Sequence, residues 1–368
     1  MMTSEQLSPR WVSPPGDTIS DILNERALSL TDFAKKASLS HEIANKLLSG
    51  EVAISAELAV TLAATLGSTS TFWLNREKQF RSELERLFGN PIQADTKNWW
   101  DNIPWNELVK LGWIAPLSDS HAKIIQGLRY FNVSSLDTWL EKYANPTHLA
   151  AFRTSSTYSS ETGAVAAWLR QGEILADEIA CKKWNKKDFE KSLDSIRPLT
   201  RMKEPSDFLP LLTQICAGQG VALVIARSPT GCRASGATRF ISKNKAILQL
   251  SFRYLSDDHF WFSFFHEAAH LILHGQDRLF LEGTNLTSSH EENEANAFSS
   301  SFLIPKDHLH ELKAIYNDHK KIMRFAKNIG ISPGIVVGQL QHINLIPHNR
   351  YNNLKVRYSW VDGKSLTT

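Results

Sequence analysis

Apolar residues recur every three to four positions through the first ninety residues, which predicts a run of short amphipathic helices. Between residues 31 and 48 a short helix, a turn at 38–40 and a second short helix follow one another. This rhythm indicates a helix-turn-helix, whose second helix enters the major groove of DNA. Five helices are predicted, over 17–27, 31–37, 41–48, 54–66 and 71–87.

From about residue 205 the pattern changes to a helix followed by apolar runs with strand character. Strands are predicted over 221–226, 234–241 and 246–251. An unusually apolar helix then begins, with Ser256 or Asp257 as its cap. A second, acidic helix starts near residue 291. The C-terminal part is therefore predicted to be an α+β domain.

The apolar helix carries the sequence His266-Glu267-x-x-His270. Residues four apart share one face of a helix, so both imidazoles can reach a single ion. A zinc ion held by two neutral histidines keeps positions open for a third ligand and for a water whose pKa falls toward neutrality. Glu267 is placed to take the water's proton and pass it to a leaving amine. This is the zinc-peptidase pattern; the alternative is a buried helix whose histidines hold no metal.

The acidic helix can supply the third ligand. Glu292 is the preferred candidate, because Asn296 lies four residues further on and could orient a ligand histidine. Glu294 is the alternative, followed by Glu291.

Two further histidines are candidates for supporting roles. His274 continues the ligand face by one turn. We expect it to support a ligand or to lie in the core, because a fourth protein ligand would close a catalytic site. His342 is a candidate oxyanion donor, with a core or surface histidine as the alternative.

The second helix of the predicted helix-turn-helix would present its polar residues to DNA. These residues are Ser40, His41, Glu42, Asn45 and Lys46, with Thr31 placed to meet phosphate. Residues 1–95 hold nine Lys or Arg and twelve Asp or Glu, a net charge of −3. Because phosphate neutralisation supplies much of DNA affinity, an acidic module is a poor generic binder. The alternative is a helical module for dimerisation or partner docking.

Composition describes an ordinary globular protein with two or three domains. The chain has 368 residues, 42% apolar and 21% charged, and its net charge of +3 is too small to argue for nucleic acid by itself. Its three cysteines lack metal-ligand spacing, which suggests free thiols in a reducing compartment. Without a signal sequence or a long apolar run, we expect a cytoplasmic protein with no membrane span.

The motifs resemble those of the ImmA/IrrE family of metallopeptidases. The residues that carry the likeness are His266-Glu267-x-x-His270-x-x-x-His274, Glu292-x-Glu294-Ala295-Asn296-x-Phe298 and Phe302-Leu303-Ile304-Pro305. The first ninety residues resemble a HigA-type antitoxin of the Xre class. Membership would imply a gluzincin-type, zincin-like fold and a zinc-dependent endopeptidase with a regulatory protein target, commonly a DNA-binding repressor. Ala269 replaces the glycine most often found before the second histidine.

We therefore predict a multidomain protein. An all-α helix-turn-helix bundle (1–90) is followed by a helical connector (91–204), the α+β peptidase domain (205–345) and a C-terminal tail (346–368). The connector's tryptophans are expected to pack in a core rather than to stack on a ligand.

The predicted function is cleavage of a specific protein, a repressor or a toxin. Operator DNA and a second copy of the chain are partners that this interpretation allows. The alternative is a HigA-like antitoxin or repressor whose peptidase-like domain senses a signal or docks a toxin.

The strand before the metal helix often forms the sheet edge beside the cleft of a zinc peptidase, where an extended substrate pairs with it. The strand at 246–251 is the candidate for that edge, and an interior strand is the alternative.

Overall fold

The computed structural model describes residues 13–50, 52–88, 99–116, 120–133, 136–144, 160–274, 279–281, 290–361 and 365–368. Parts of the predicted connector, 91–98 and 145–159, lie outside these ranges. The described residues divide into two compact units. One comprises Met1–Ile103 with Ile114–Ala144, and the other comprises Pro104–Trp113 with Asn145–Thr368.

The first unit contains the predicted five-helix bundle. Its helices are α1 (Pro15–Glu25), α2 (Leu30–Lys36), α3 (His41–Leu48), α4 (Ala56–Leu66) and α5 (Ser70–Phe88). Serine side chains start three of them: Ser29, Ser40 and Ser55 accept hydrogen bonds from backbone N–H groups of the first turns of α2, α3 and α4. The bounds of α3 are those predicted from the sequence.

Close packing between α1 and α3 depends on a glycine. A Cβ atom on Gly16 would lie 1.9 Å from the carbonyl oxygen of Leu48, so only glycine allows this approach. Ile19 and Leu23 of α1, together with Leu47 of α3, are buried in the core that the helices share. The apolar periodicity seen in the sequence is therefore the core of the bundle.

The other described helices of the first unit contribute to a cluster of aromatic side chains. These helices are α7 (Ser120–Phe131), α8 (Leu136–Trp139) and a π-helical turn (Leu140–Ala144). The rings of Trp99 and Trp139 lie 6.0 Å apart, and both side chains are buried. The predicted core packing is confirmed for Trp99 and Trp139, whereas Trp100 and Trp113 are half-buried.

The second unit combines helices with a small mixed sheet. Its helices are α6 (Trp105–Lys110), α9 (Ser160–Asp177), α10 (Lys186–Ile196), α11 (Pro205–Ala217), α12 (Asp257–Leu273), α13 (His290–Leu303), α14 (Leu309–Ile315), α15 (His319–Ile329) and α16 (Pro333–His342). Its strands are β1 (Val221–Ile225), β2 (Gly236–Ser242), β3 (Lys245–Leu250), β4 (Phe280–Leu281), β5 (Ser359–Val361) and β6 (Ser365–Thr367). The predicted strands and the helix with the histidine motif are all present.

The four-stranded sheet has the order β1-β3-β2-β4, with β1 parallel to β3 and the other pairs antiparallel. The proposed edge position of the strand at 246–251 is therefore wrong, and the interior alternative is correct. β2 and β3 form an antiparallel hairpin, and β1 pairs with the other edge of β3. Ala246 to Leu250 are consequently all buried.

Helices cover both faces of the sheet. On one face, Leu223 and Leu248 pack in the core formed with α11 and α12. On the other face, Ala222 and Ile247 pack against α9. The Trp168 indole of α9 donates a hydrogen bond of 2.8 Å to the carbonyl oxygen of Ala226. This helix, placed in the connector by the sequence pattern, therefore packs directly on the sheet.

The C-terminal tail returns to the start of α12. The backbone N–H of Asp257 donates to the carbonyl oxygen of Val356 at 3.1 Å, and the N–H of Tyr358 donates to that of Leu255 at 3.0 Å. Lys355 forms a buried ion pair of 2.6 Å with Asp258. The first turn of α12 is thus held by residues about one hundred positions further along the chain. Within the described ranges, the helices all fall short of the length and apolarity that crossing a bilayer requires.

Candidate metal centre

Three side chains from the two predicted ligand helices converge at one point. His266 and His270 lie one turn apart on α12, and both are 1% exposed. Their Nε2 atoms are 3.0 Å apart. Glu292, in the first turn of α13, places its carboxylate oxygens 3.2 Å from Nε2 of His266 and 3.5 Å from Nε2 of His270.

These separations fit a tetrahedral metal site. Ligand atoms about 2.0–2.1 Å from a tetrahedral ion lie roughly 3.3 Å from one another. The three separations found, 3.0, 3.2 and 3.5 Å, lie around that value. Two imidazoles and one carboxylate are also a donor set that zinc accepts in catalytic sites. The cluster can therefore hold a metal ion and leave one coordination position open.

The second ring nitrogen of His266 is held by α13. Its Nδ1 atom lies 3.0 Å from Oδ1 of Asn296, one turn after Glu292. The same face of α13 thus provides both a candidate ligand and the amide that orients a histidine. This is the arrangement expected from the spacing of Glu292 and Asn296.

The second ring nitrogen of His270 contacts another histidine. Its Nδ1 atom lies 3.0 Å from Nδ1 of His274, whose Nε2 lies 3.2 Å from Oε2 of Glu294. The Glu294 carboxylate also lies 3.2 Å from Nδ1 of His290. His274 and Glu294 therefore lie beside the three-residue cluster rather than in it. The half-buried Glu291 is likewise not one of the three.

Glu267 lies on the face of α12 that meets β2. Its side chain is completely buried, and Thr238 Oγ1 of β2 donates a hydrogen bond of 3.4 Å to its main-chain carbonyl oxygen. On the ligand side, the ring of Phe280 in β4 stacks on the imidazole of His270 at 4.1 Å. Phe280 thus borders the three-residue cluster, and β2 borders Glu267.

The electrostatics of the cluster favour cation binding. Burial would raise the pKa of Glu292, but hydrogen bonds with His266 and His270 outweigh it and bring that pKa to about 2. Burial lowers the pKa of His270 below its usual value. At neutral pH the carboxylate is therefore ionised and the imidazole is neutral, the forms in which both bind a metal ion.

His342 is the last residue of α16 and is exposed. α16 approaches α12 at the opposite end from the ligand histidines: a Cβ on Gly334 would lie 2.4 Å from Oδ1 of Asp257. An oxyanion role for His342 stays a prediction.

The residues predicted to face DNA lie on the exposed side of the helix-turn-helix. Thr31, His41 and Asn45 are exposed. Ser40 uses its hydroxyl oxygen to accept from the backbone N–H of Ile43 at 3.1 Å, so it caps α3. Lys46 is paired with Glu42 at 2.6 Å. The one basic side chain among these candidates is thus partly neutralised by its own helix.

Sequence reasoning did not select two residues that border the site, Gly236 and Phe280. A glycine inside a strand pattern often marks a close approach of the backbone to another group, and that signal was available for Gly236. No local pattern distinguishes Phe280 from an ordinary core aromatic.

Residues 222–340 match the family described as IrrE N-terminal-like domain, peptidase M78. This IrrE-like segment runs from β1 into α16 and contains the three clustered ligand candidates and Glu267. Peptidases of the M78 family are typically metal-dependent.

The N-terminal part has a relative of a different kind. Over 61 residues the chain is 38% identical to an uncharacterized HTH-type transcriptional regulator, YddM, of Escherichia coli (strain K12). The match covers 17% of this chain and 65% of that protein, so the chain spans just under two thirds of its length. One polypeptide therefore contains an IrrE-like segment and a segment similar to an HTH-type transcriptional regulator.

Proposed function

We propose that the protein is a regulatory zinc endopeptidase that cleaves a specific protein. The observation that carries this proposal is the convergence of His266, His270 and Glu292 at separations suited to one tetrahedral ion. The match of residues 222–340 to a peptidase family supports it. A repressor or a toxin is the class of target that a fused helix-turn-helix module favours.

The ring protons can be assigned from the requirement that both Nε2 atoms face the ion without a proton. His266 then donates from Nδ1 to Oδ1 of Asn296, and His270 donates from Nδ1 to Nδ1 of His274. His274 in turn donates from Nε2 to Glu294. Each contact then has one donor and one acceptor, so the hydrogen bonds are compatible with the tautomers that metal binding needs.

Zinc, when bound, supplies a Lewis acid that makes hydroxide available near neutral pH. Glu267, one residue after His266, would accept a proton from the attacking water and deliver it to the nitrogen of the leaving amine. Its complete burial removes competing solvent from the carboxylate. The protein's own side chains would therefore hold the metal and transfer one proton.

Elemental analysis of the purified protein tests the site. We expect about one zinc per chain in the wild type and a loss of zinc in His266→Ala and Glu292→Ala, since each removes one of three ligands. Glu291→Ala, the neighbouring carboxylate outside the cluster, is the matched control and should keep the metal. A wild-type protein that takes up no zinc on titration would overturn the proposal.

A cleavage assay tests the role of Glu267. The zinc-loaded protein is incubated with each protein encoded beside its gene, and fragments are identified by mass spectrometry. Glu267→Gln should keep its zinc and lose cleavage by about 10²-fold or more, the usual contribution of general acid–base catalysis. Cleavage that persists unchanged in Glu267→Gln would contradict this role.

A second function, a HigA-like antitoxin or repressor, is favoured by the N-terminal relative and by the exposed polar face of α3. We propose operator DNA as its ligand and a cytoplasmic location, with a homodimer as the form that binds. A gel shift on the gene's own promoter tests it. Lys46→Ala should weaken binding and Glu42→Gln should strengthen it, because the latter removes a negative charge and releases Lys46. DNA binding that is unaffected by both substitutions and by the salt concentration would show that this face of α3 does not contact DNA.

A further inference from the structure

We infer that Gly236 is a positioning residue for Glu267: the buried side chain of Glu267 occupies the space that a side chain at position 236 would need. This inference rests on the proposed function, because Glu267 is there the group that moves the proton. It assigns a part in the reaction to the first residue of β2, thirty-one positions before the residue through which it acts.

The distances show how fully that space is used. A Cβ on Gly236 would lie 2.5 Å from Oε1, 2.6 Å from Cγ and 2.9 Å from Cδ of Glu267. Each is shorter than any ordinary carbon contact. Glu267 has no exposed surface, so its side chain cannot move toward solvent without rearranging its neighbours.

The backbone conformation of Gly236 does not by itself require glycine. It is absent from the described residues that have a positive φ angle, so an alanine could adopt the same backbone. Glycine in a strand costs stability relative to residues with side chains. The contact with Glu267 is thus the feature of this position that calls for glycine.

The strand is not free to move away from Glu267. Gly236 pairs with Leu250 of β3, and Ser251 donates from its backbone N–H to Ser235 at 3.0 Å and from its hydroxyl to Ala234 at 2.8 Å. From the other side, Thr238 binds the main chain of Glu267. A methyl group at position 236 would therefore displace the acidic side chain rather than the strand.

A double-mutant cycle on the full-length protein tests the contact. Gly236→Ala is made alone and together with Glu267→Ala, and thermal unfolding midpoints are measured for all four proteins. We expect Gly236→Ala to lower the midpoint in the wild-type background and to have little effect, or to raise it, when the Glu267 side chain is gone. Gly218→Ala, whose added Cβ would meet nothing closer than 3.3 Å, is the matched control and should act equally in both backgrounds.

Catalysis separates positioning from packing. Gly236→Ala should keep about one zinc per chain, because the atoms nearest to the added Cβ belong to Glu267, which is outside the ligand cluster. It should lower kcat about tenfold or more with KM unchanged, measured on a fluorescent peptide spanning the cleavage site found with the neighbouring proteins. Equal midpoint losses in both backgrounds, or full kcat in zinc-loaded Gly236→Ala, would overturn the inference. Coupling in the cycle with cleavage retained in Glu267→Gln would instead overturn the proposed proton transfer and leave the contact in place.

Discussion

The two candidate ligand histidines contact groups of different chemistry. Asn296, a neutral amide, faces His266, whereas His274 faces His270 and is itself backed by the ionisable Glu294. An imidazole polarised by a carboxylate is the better acceptor for the ring proton of His270. The series Glu294, His274 and His270 is therefore expected to support zinc binding.

Replacing His274 by alanine should weaken zinc binding by about 10- to 100-fold, the usual effect of removing a group that orients a metal ligand. His290→Ala is the matched control: its side chain is 84% exposed and contacts the outer side of Glu294, so the affinity should change little. Competition with a fluorescent chelator measures both. An affinity that is unchanged in His274→Ala would show that the contact with His270 does not support the metal.

The sequence indicated Glu292 as the candidate third ligand through its spacing to Asn296, but the buried face of the helix gave that choice little support. Glu292 and Glu294 are two residues apart and so lie on nearly opposite sides of a helix. The side that meets α12 is set by Ala295 and Ser299, both completely buried, and Glu292 shares it. These two residues are small rather than strongly apolar, so the buried face of α13 is faint in the sequence.

The first turn of α12 contains a buried carboxyl group that titrates near neutrality. Burial, and to a lesser extent the charge of the neighbouring Asp258, raises the pKa of Asp257 to about 7, against hydrogen bonds from the Ser332 hydroxyl and the Val356 backbone that lower it. Because the usual value is about 3.9, the folded protein keeps a proton between pH 4 and 7 that the unfolded chain releases. Folding stability should therefore fall as pH rises through this range.

Asp257→Asn should remove that pH dependence, because the amide keeps the shape of the carboxyl group and carries no charge. The free energy of unfolding of the variant minus that of the wild type should rise from pH 4.5 to 7, by at most about 1.4 kcal/mol per pH unit, and then level off. The difference between their unfolding midpoints should follow the same trend. The exposed Asp177→Asn serves as the control. A difference that is constant across pH would disprove the buried titration.

Helices were easier to predict than the order of the strands. The bounds of α3 agree with the sequence pattern because this helix repeats its apolar side every three to four residues. β3 is an interior strand because β1 pairs with it, although β2 lies between these two strands in the chain. Local periodicity does not contain that information. The nearly continuous apolar run of β3 was the available signal for an interior strand.

At the scale of the whole molecule, α9 belongs with the sheet that it covers. Trp168 and Leu169 are buried against β1 and β3, and the Gln249 amide donates to the carbonyl oxygen of Trp168 at 2.7 Å. Each such buried side chain contributes about 1.5–3 kcal/mol. The sheet without α9 would expose one apolar face.

A fragment of residues 205–368 should therefore unfold at a lower temperature than a fragment of residues 160–368. It should also bind more of a dye that fluoresces on apolar surfaces, such as anilinonaphthalene sulfonate. Thermal scans and dye titrations of the two fragments provide the comparison. Equal midpoints and equal dye binding would mean that α9 adds nothing to the sheet.

The position of α9 also bears on how such a chain can be assembled by gene fusion. The recognisable family segment begins at residue 222, but the helix that covers its sheet begins at Ser160. A recombination event that joined a new N-terminal module at residue 222 would leave this helix behind and yield a polypeptide prone to aggregation. We therefore expect the inherited unit to be longer than the recognised one, with viable junctions upstream of Ser160.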